Sequence, residues 1–208
     1  MRWQLVIQVV VKKKEFIVEN VEKTLLMKQF MKTHLMTFCV KNVCCISTKR
    51  TGGDGLIIQV DSRERKFDHV TNYFDSQDVQ WFISKLVVGD YVNLKNPMVV
   101  IDRKQSLQEV ASNVCQEHDR FVRELERANE LGFKLIVLIE EPNVKDLVGV
   151  CSWYNWRRKT NPKAVNGKTL YKIMFTMSQK YGVEWQFTTK AKCGERIIEL
   201  LGGEADAV

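Results

Sequence analysis

The chain has 208 residues, 45% apolar and 27% charged, with a net charge of +7, the composition of an ordinary globular protein long enough to bury a core in one domain. Its six cysteines are spread from Cys39 to Cys193 and its apolar start, "LVIQVVV", runs directly into Lys12, Lys13 and Lys14. This excludes an extracellular disulfide framework, a secretory leader and a membrane span, and points to reduced thiols in a cytoplasmic protein. The charge is uneven: residues 1–60 carry ten Lys/Arg against four Asp/Glu, residues 61–140 eleven against fourteen, and residues 141–208 eleven against seven. Basic flanks around an acid-richer middle suit a protein that grips a polyanion at its periphery, although many basic proteins are merely soluble.

In chain order, "RWQLVIQVVV" has strand character and "VENVEKTLLMKQFMKTHLM" helical spacing. Neither carries a recognisable chemistry, and "STKRTGGDG" (47–55) closes this basic segment as a Gly-rich linker. The cluster of Cys39, Cys44 and Cys45 has a poor spacing for zinc, with His34 the one nearby residue that would complete a site. "LIIQVD" (56–61) predicts a buried strand ending in an acid, and "FDHVTNYFDSQ" a short helix. "VQWFISKLVV" with "GDYV" predicts the next strand, then a polar turn, "NLKNP", and the strand "MVVIDRK". Ser106 and Glu109 fit a capping box opening one long helix to Gly132. The buried strand "KLIVLIEE" follows, then helices at "NVKDLVGV" and "GKTLYKIMFTMSQKYG", the strand "VEWQFTT" and a last helix, "GERIIELLGG". Strands alternating with helices predict an α/β sheet whose first part is an antiparallel meander.

Charges set among valines and isoleucines need partners. If residues 86–92 and 98–104 pair as a hairpin turning near Asn96, paired residue numbers sum to about 192 and Asp90 faces Asp102. Lys104 then shares the face of Asp102 while Arg103 points the other way. Two carboxylates and an ammonium converging on one spot suit a hard divalent cation, and the arrangement is that of metal-assisted phosphodiester hydrolysis. The competing reading is a surface hairpin whose polar residues face solvent.

Taken with the preceding strand, these residues resemble the nuclease domain of the XPF family, a branch of the restriction-endonuclease-like fold. The resemblance lies in Val60-Asp61-Ser62-Arg63-Glu64, Gly89-Asp90-Tyr91, Asp102-Arg103-Lys104, Arg120 within a helix, and "LIVLIE" at 135–140. It implies a central mixed β-sheet flanked by helices over residues 56–208, with residues 1–55 outside it. It further implies a Mg²⁺- or Mn²⁺-dependent endonuclease acting on branched or flapped DNA in replication, repair or recombination, working as a homodimer with no nucleotide cofactor and no membrane. By position, Asp90, Asp102 and the Arg103 carbonyl would hold the metal and Lys104 would assist the attacking water. Asp61 and Glu64 would position water or a second metal, and Arg63, Arg103 and Arg120 would face phosphates or brace the acids.

Three departures accompany the resemblance. Asp102 stands where the family has Glu, Gln108 where it has an acid, and Glu124, an ordinary i,i+4 partner for Arg120, where it often has Gln. The family's usual tandem helix-hairpin-helix module has no counterpart before residue 208, which suggests a compact version such as a phage or mobile element carries. Two other functions stay open: a catalytically silent DNA-binding or dimerisation scaffold, and a sequence-specific restriction enzyme. "CSWYNWRRKTNPKAVNGK" (151–168) interleaves Trp153, Tyr154 and Trp156 with Arg157, Arg158 and Lys159, which reads either as a DNA-contacting loop or as core tryptophans beside a solvated turn. His34, His69 and His118 are scattered, with His118 expected on the apolar side of the long helix. "TGGDG" lacks the Lys-Ser/Thr of a phosphate-binding loop.

Overall fold

A computed structural model of the chain describes residues 56–202. The basic N-terminal segment, the cysteine cluster with His34 and the Gly-rich linker lie outside the described residues. Six strands form one mixed sheet: β1 (Ile57–Val60), β2 (Gln80–Ile83), β3 (Tyr91–Asn93), β4 (Asn96–Lys104), β5 (Lys134–Glu140) and β6 (Glu184–Thr188), in the order β2-β1-β3-β4-β5-β6. The helices are α1 (Asp68–Ser76), α2 (Leu107–Cys115), α3 (His118–Glu130), α4 (Gly167–Tyr181) and α5 (Cys193–Gly202). No helix among the described residues is long and apolar enough to cross a membrane.

The sheet separates two cores, and strand alternation decides which residues enter each. Val92, Val100, Val137 and Ile139 meet Leu107, Val114, Phe121, Leu125 and Met174 of α2, α3 and α4. Ile58, Val60, Tyr91, Ile101 and Leu138 face the other way, against Val70 and Phe74 of α1 and Ile197 and Leu201 of α5. Asp102 and Lys104 therefore belong to the α2–α4 side, and Arg103 and Glu140 to the α1/α5 side.

Four expectations are corrected. β1 and β2 run parallel, joined by α1, while β3 pairs antiparallel with β1 on its other edge, so the first part is not a meander. The expected continuous strand through "GDYV" ends at Ile83, because the next stretch turns its backbone donors onto carboxylates: Leu86 N–H to Asp61 at 2.6 Å and Gly89 N–H to Glu124 at 3.3 Å. The single long helix is two, since Gln116 and Glu117 both donate to the Ser112 carbonyl, at 2.8 and 3.1 Å, and close α2 there. His118, first in α3, is consequently exposed. The helix expected around "NVKDLVGV" is a short 3₁₀ turn, Val148–Ser152. Ser106 does cap α2, accepting the Glu109 N–H at 3.3 Å, but the Glu109 carboxylate reaches Gln105 N–H instead of the cap residue's own.

Candidate active site

β3 and β4 pair as Tyr91 with Ile101 and Val92 with Val100, numbers that sum to 192 as the hairpin argument requires. Beyond this ladder Asp90 N–H donates to Ile101 O at 2.8 Å, and the Asp90 carboxylate comes within reach of the charges of Asp102 and Lys104. The turn itself is at Leu94–Lys95, with a bulge between Val92 and Asn93, so β3 is shorter than expected. Gly89 sets the approach: its φ is +66°, and a Cβ there would lie 2.5 Å from Val100 Cγ1 and 2.9 Å from Ile101 O.

On the α2–α4 face, Asp90 accepts the Arg103 N–H at 2.8 Å. The Lys104 ammonium donates to Asp102 Oδ1 at 2.9 Å and lies 2.7 Å from Oδ2, which is buried and receives no aligned donor. Burial first, then the charges of Asp102 and Glu64, push Asp90 well above the usual carboxylate range. For Lys104 burial works downward, but Asp102 and Asp90 outweigh it and hold the amine as a cation. The Phe121 ring lies 5.9 Å from the ammonium.

Asp61, at the end of β1, is buried and accepts four donors: Arg63 N–H at 2.7 Å, Arg63 Nε and Nη2 at 2.8 and 3.0 Å, and Leu86 N–H at 2.6 Å. Burial alone would raise it, yet these donors together hold it below its ordinary value. Arg63 thus braces Asp61 while much of its side chain remains in solvent.

Arg103 lies across the sheet, its side chain 1% exposed. It donates to Glu64 Oε1 at 2.7 Å, Glu140 Oε1 at 2.7 Å and Arg65 O at 2.9 Å. Nε, Nη1 and Nη2 of Arg103 all meet protein acceptors, so in this structure the side chain braces the acids. Glu64 is raised, burial first and Asp102 adding to it against Arg103. Glu140 is lowered: burial works upward, but donors from His69, at 2.7 Å, and Arg103 prevail. Arg120 is exposed and pairs with Glu117.

Glu124 was expected to be a helix-surface partner for Arg120. Its carboxylate instead accepts Gly89 N–H, and burial followed by the charge of Asp102 raises it. It is an additional acid of the site, and no spacing along α3 signals that. Glu140 and His69 were likewise given no role by sequence reasoning. An acid closing a buried strand, the pattern already noticed at Asp61 and Asp102, was the available sign for Glu140; His69 had none. Gln108, where the family has an acid, buries its Oε1 without a partner.

The donor set at Asp90 and Asp102 fits a hard divalent ion. The hairpin strands supply two carboxylates, Asp102 Oδ2 lacks an aligned donor, and among the described residues the acids here outnumber the cations paired with them. Arg103 N–H points toward β3, and in an antiparallel ladder a residue's N–H and C=O face the same neighbour, so the Arg103 carbonyl is directed to the same place. Ligating atoms of His69, Glu140 and Cys193 also lie within 4.8 Å of one another. A cation there would compete with the Arg103 guanidinium for the same Glu140 oxygen, which makes it the poorer candidate.

The ERCC4 domain matches residues 60–201, more than half of the chain and the stretch that holds every one of these groups. The chain belongs to the ERCC4-domain family. Among solved structures, XPF from Aeropyrum pernix is similar at 22% identity with a TM-score of 0.52, over 70% of this chain and 63% of that one. Its complex with DNA matches at 22% identity and 0.53, over 71% and 64%. The chain therefore covers a little under two thirds of those relatives, and the likeness establishes the XPF nuclease fold. No curated protein matches the sequence significantly.

The remaining expected contacts lie in residues 151–159. Trp153 is partly buried and packs against the α2–α4 core, the place of the core anchor among the two expected readings. Trp156 is exposed, Arg157 lies 6.0 Å from its ring, Arg158 donates to Ala164 O at 2.6 Å, and Lys159 is exposed.

Proposed function

We propose that this ERCC4-domain chain is a divalent-metal-dependent endonuclease that hydrolyses phosphodiester bonds in branched, flapped or junction DNA during replication, repair or recombination, with Mg²⁺ or Mn²⁺ as cofactor. The observation that carries the reading is the β3–β4 hairpin, at whose end the Asp90 carboxylate accepts the Arg103 N–H beside the Asp102–Lys104 pair. The DNA complex of the similar Aeropyrum XPF supports DNA as the partner.

Asp90, Asp102 and the Arg103 carbonyl would hold the ion. When bound, a divalent ion supplies Lewis acidity toward a phosphoryl oxygen and toward water. Lys104, held protonated by Asp102 and Asp90, acts as a fixed positive charge that orients the attacking water and offsets charge building on the phosphate. Asp61 and Glu64 flank the pair from the turn after β1, each fixed by an arginine, and orient water at the edge of the site. The Arg103 side chain touches no substrate; it fixes the strand ends that carry the ligands.

The test is cleavage of labelled splayed-arm, 3′-flap, four-way-junction and linear duplex DNA with Mg²⁺, Mn²⁺ or EDTA, the Asp102→Asn protein run alongside. Metal-dependent cutting of the branched substrates that disappears in D102N is expected. Equal binding of branched DNA by both proteins without cutting would replace the enzyme by a silent scaffold, a reading favoured by the half-buried amide Gln108 standing where the family has an acid.

A further inference from the structure

The turn at 153–159 is a built feature, and its exposed surface is chemically lopsided. Tyr154 and Trp156 are 62% and 59% exposed, on either side of Asn155, which is only 2% exposed. Asn155 fixes the turn from inside: its side chain accepts the Arg157 N–H at 3.0 Å and donates to Val165 O at 2.8 Å. Arg158 ties it to Ala164 O. Gly167 closes it from below, where a Cβ would lie 2.4 Å from Val150 O and 2.6 Å from Trp153 O. Trp153 anchors the segment to the core. Two aromatic rings are thus held out to solvent by a scaffold that costs little further ordering on binding.

Charge identifies what such rings would meet. Residues 147–183 contain seven Lys/Arg and no Asp or Glu. A protein partner, or a second copy of this strongly basic surface, would have to supply every counter-charge, whereas a nucleic acid strand offers phosphates and π-faces together. Topology sets the place. β4 and β5 are parallel with Lys104 beside Ile139, so the chain leaving Glu140 departs from the sheet edge that carries Asp102 and Lys104. α4 leads back to β6, itself parallel to β5, so the segment also returns at that edge.

We propose that Tyr154 and Trp156, with Arg157 and Lys159, form a stacking site for unpaired nucleotides, holding the single-stranded arm of a branched substrate beside the acid cluster. The choice of DNA as partner rests on the proposed nuclease function. The test is therefore made on binding alone, in EDTA, with the full chain. Fluorescein-labelled oligo(dT), a splayed-arm duplex and a blunt duplex are titrated by anisotropy against wild type, Trp156→Ala, Trp156→Phe and Tyr154→Ala. W156A and Y154A should each lose about tenfold or more on oligo(dT) and the splayed arm, the loss of one base stack. Blunt-duplex binding should change less than about twofold, and W156F should retain most of the affinity. Unchanged oligo(dT) binding by W156A and Y154A would overturn the site, as would equal losses on all three DNAs or a change of oligomeric state in sedimentation. A wild type that binds oligo(dT) this way but cuts nothing would sink the nuclease reading and leave the stacking site standing.

Discussion

Replacing Arg103 by Met removes one cation from between two buried carboxylates. Arg103 donates to both Glu64 and Glu140, whose side chains are 10% and 5% exposed, and also to the Arg65 carbonyl that shapes the turn after β1. Methionine fills much of the volume, so the cost is electrostatic, with little cavity term. Stranding a buried partner costs about 3–5 kcal/mol. At about 2–4 °C per kcal/mol for a domain of this size, Tm should fall by roughly 6–20 °C. The assay is urea and thermal unfolding of wild type, R103M, Glu140→Gln and the double variant between pH 4 and pH 8. The sign follows from the acids left behind. Without Arg103 their folded pKa values rise above the unfolded ones, so the variant gains on wild type as pH falls and the deficit narrows toward pH 4. Wild type moves the other way: the depressed Glu140 stabilises it above the ordinary carboxylate range and ceases to do so as pH falls through its folded value. In the double variant E140Q should recover part of the loss. A deficit below about 1 kcal/mol, or one independent of pH, would show that the guanidinium does not hold these acids.

Two further changes act on acids that lack a cation of their own. Asp90→Asn should raise the Tm of the metal-free protein at neutral pH, because Asp90 has a folded pKa raised by burial and by Asp102 and so opposes folding once pH exceeds its unfolded value. The same variant should lose the upward Tm shift that Mg²⁺ gives wild type, worth about 2.7 kcal/mol at a hundredfold excess over Kd; calorimetry with and without Mg²⁺ reads both, and an apo Tm below wild type would refute the first. Glu124→Gln should raise the Mg²⁺ concentration for half-maximal cleavage about fivefold, the effect of ~1 kcal/mol from a half-buried charge nearby. The maximal rate should change little, and a collapse of that rate with an unaltered Mg²⁺ midpoint would instead make Glu124 part of the chemistry.

The contrast between Asp102 and Glu124 shows what the sequence could convey. Strand alternation has a period of two, which sends Arg103 to the face opposite Asp102; the register itself needs more than the turn, since Asn93 pairs with Asn96 and the irregularity between Val92 and Asn93 restores the sum of 192. Glu124 depends on how α3 is rotated about its axis. That rotation follows from the break at Gln116–Glu117, where both amides turn onto one Ser112 carbonyl; a single helix from Ser106 hides the carboxylate among ordinary surface pairs. His69 reaches Glu140 across 71 residues, a contact created by packing α1 on the sheet, with no local pattern to announce it. The segment 84–90 misled for a related reason: its apolar residues read as strand, but its amides serve Asp61 and Glu124.

The assembled site also answers why acids and bases were set among valines. Asp61, Glu64, Asp90, Asp102, Glu124 and Glu140 share three cations, Arg63, Arg103 and Lys104, with His69 at the periphery. Asp61 has Arg63, Asp102 has Lys104, and Arg103 is divided between Glu140 and Glu64. The acids left short are Glu64, Asp90 and Glu124, and these are the ones whose pKa values are raised. Ionising these three acids in a half-buried site opposes folding and repels a phosphodiester. A bound divalent ion would relieve both, which is why Asp90→Asn should stabilise the apo protein through the same change that removes its response to Mg²⁺.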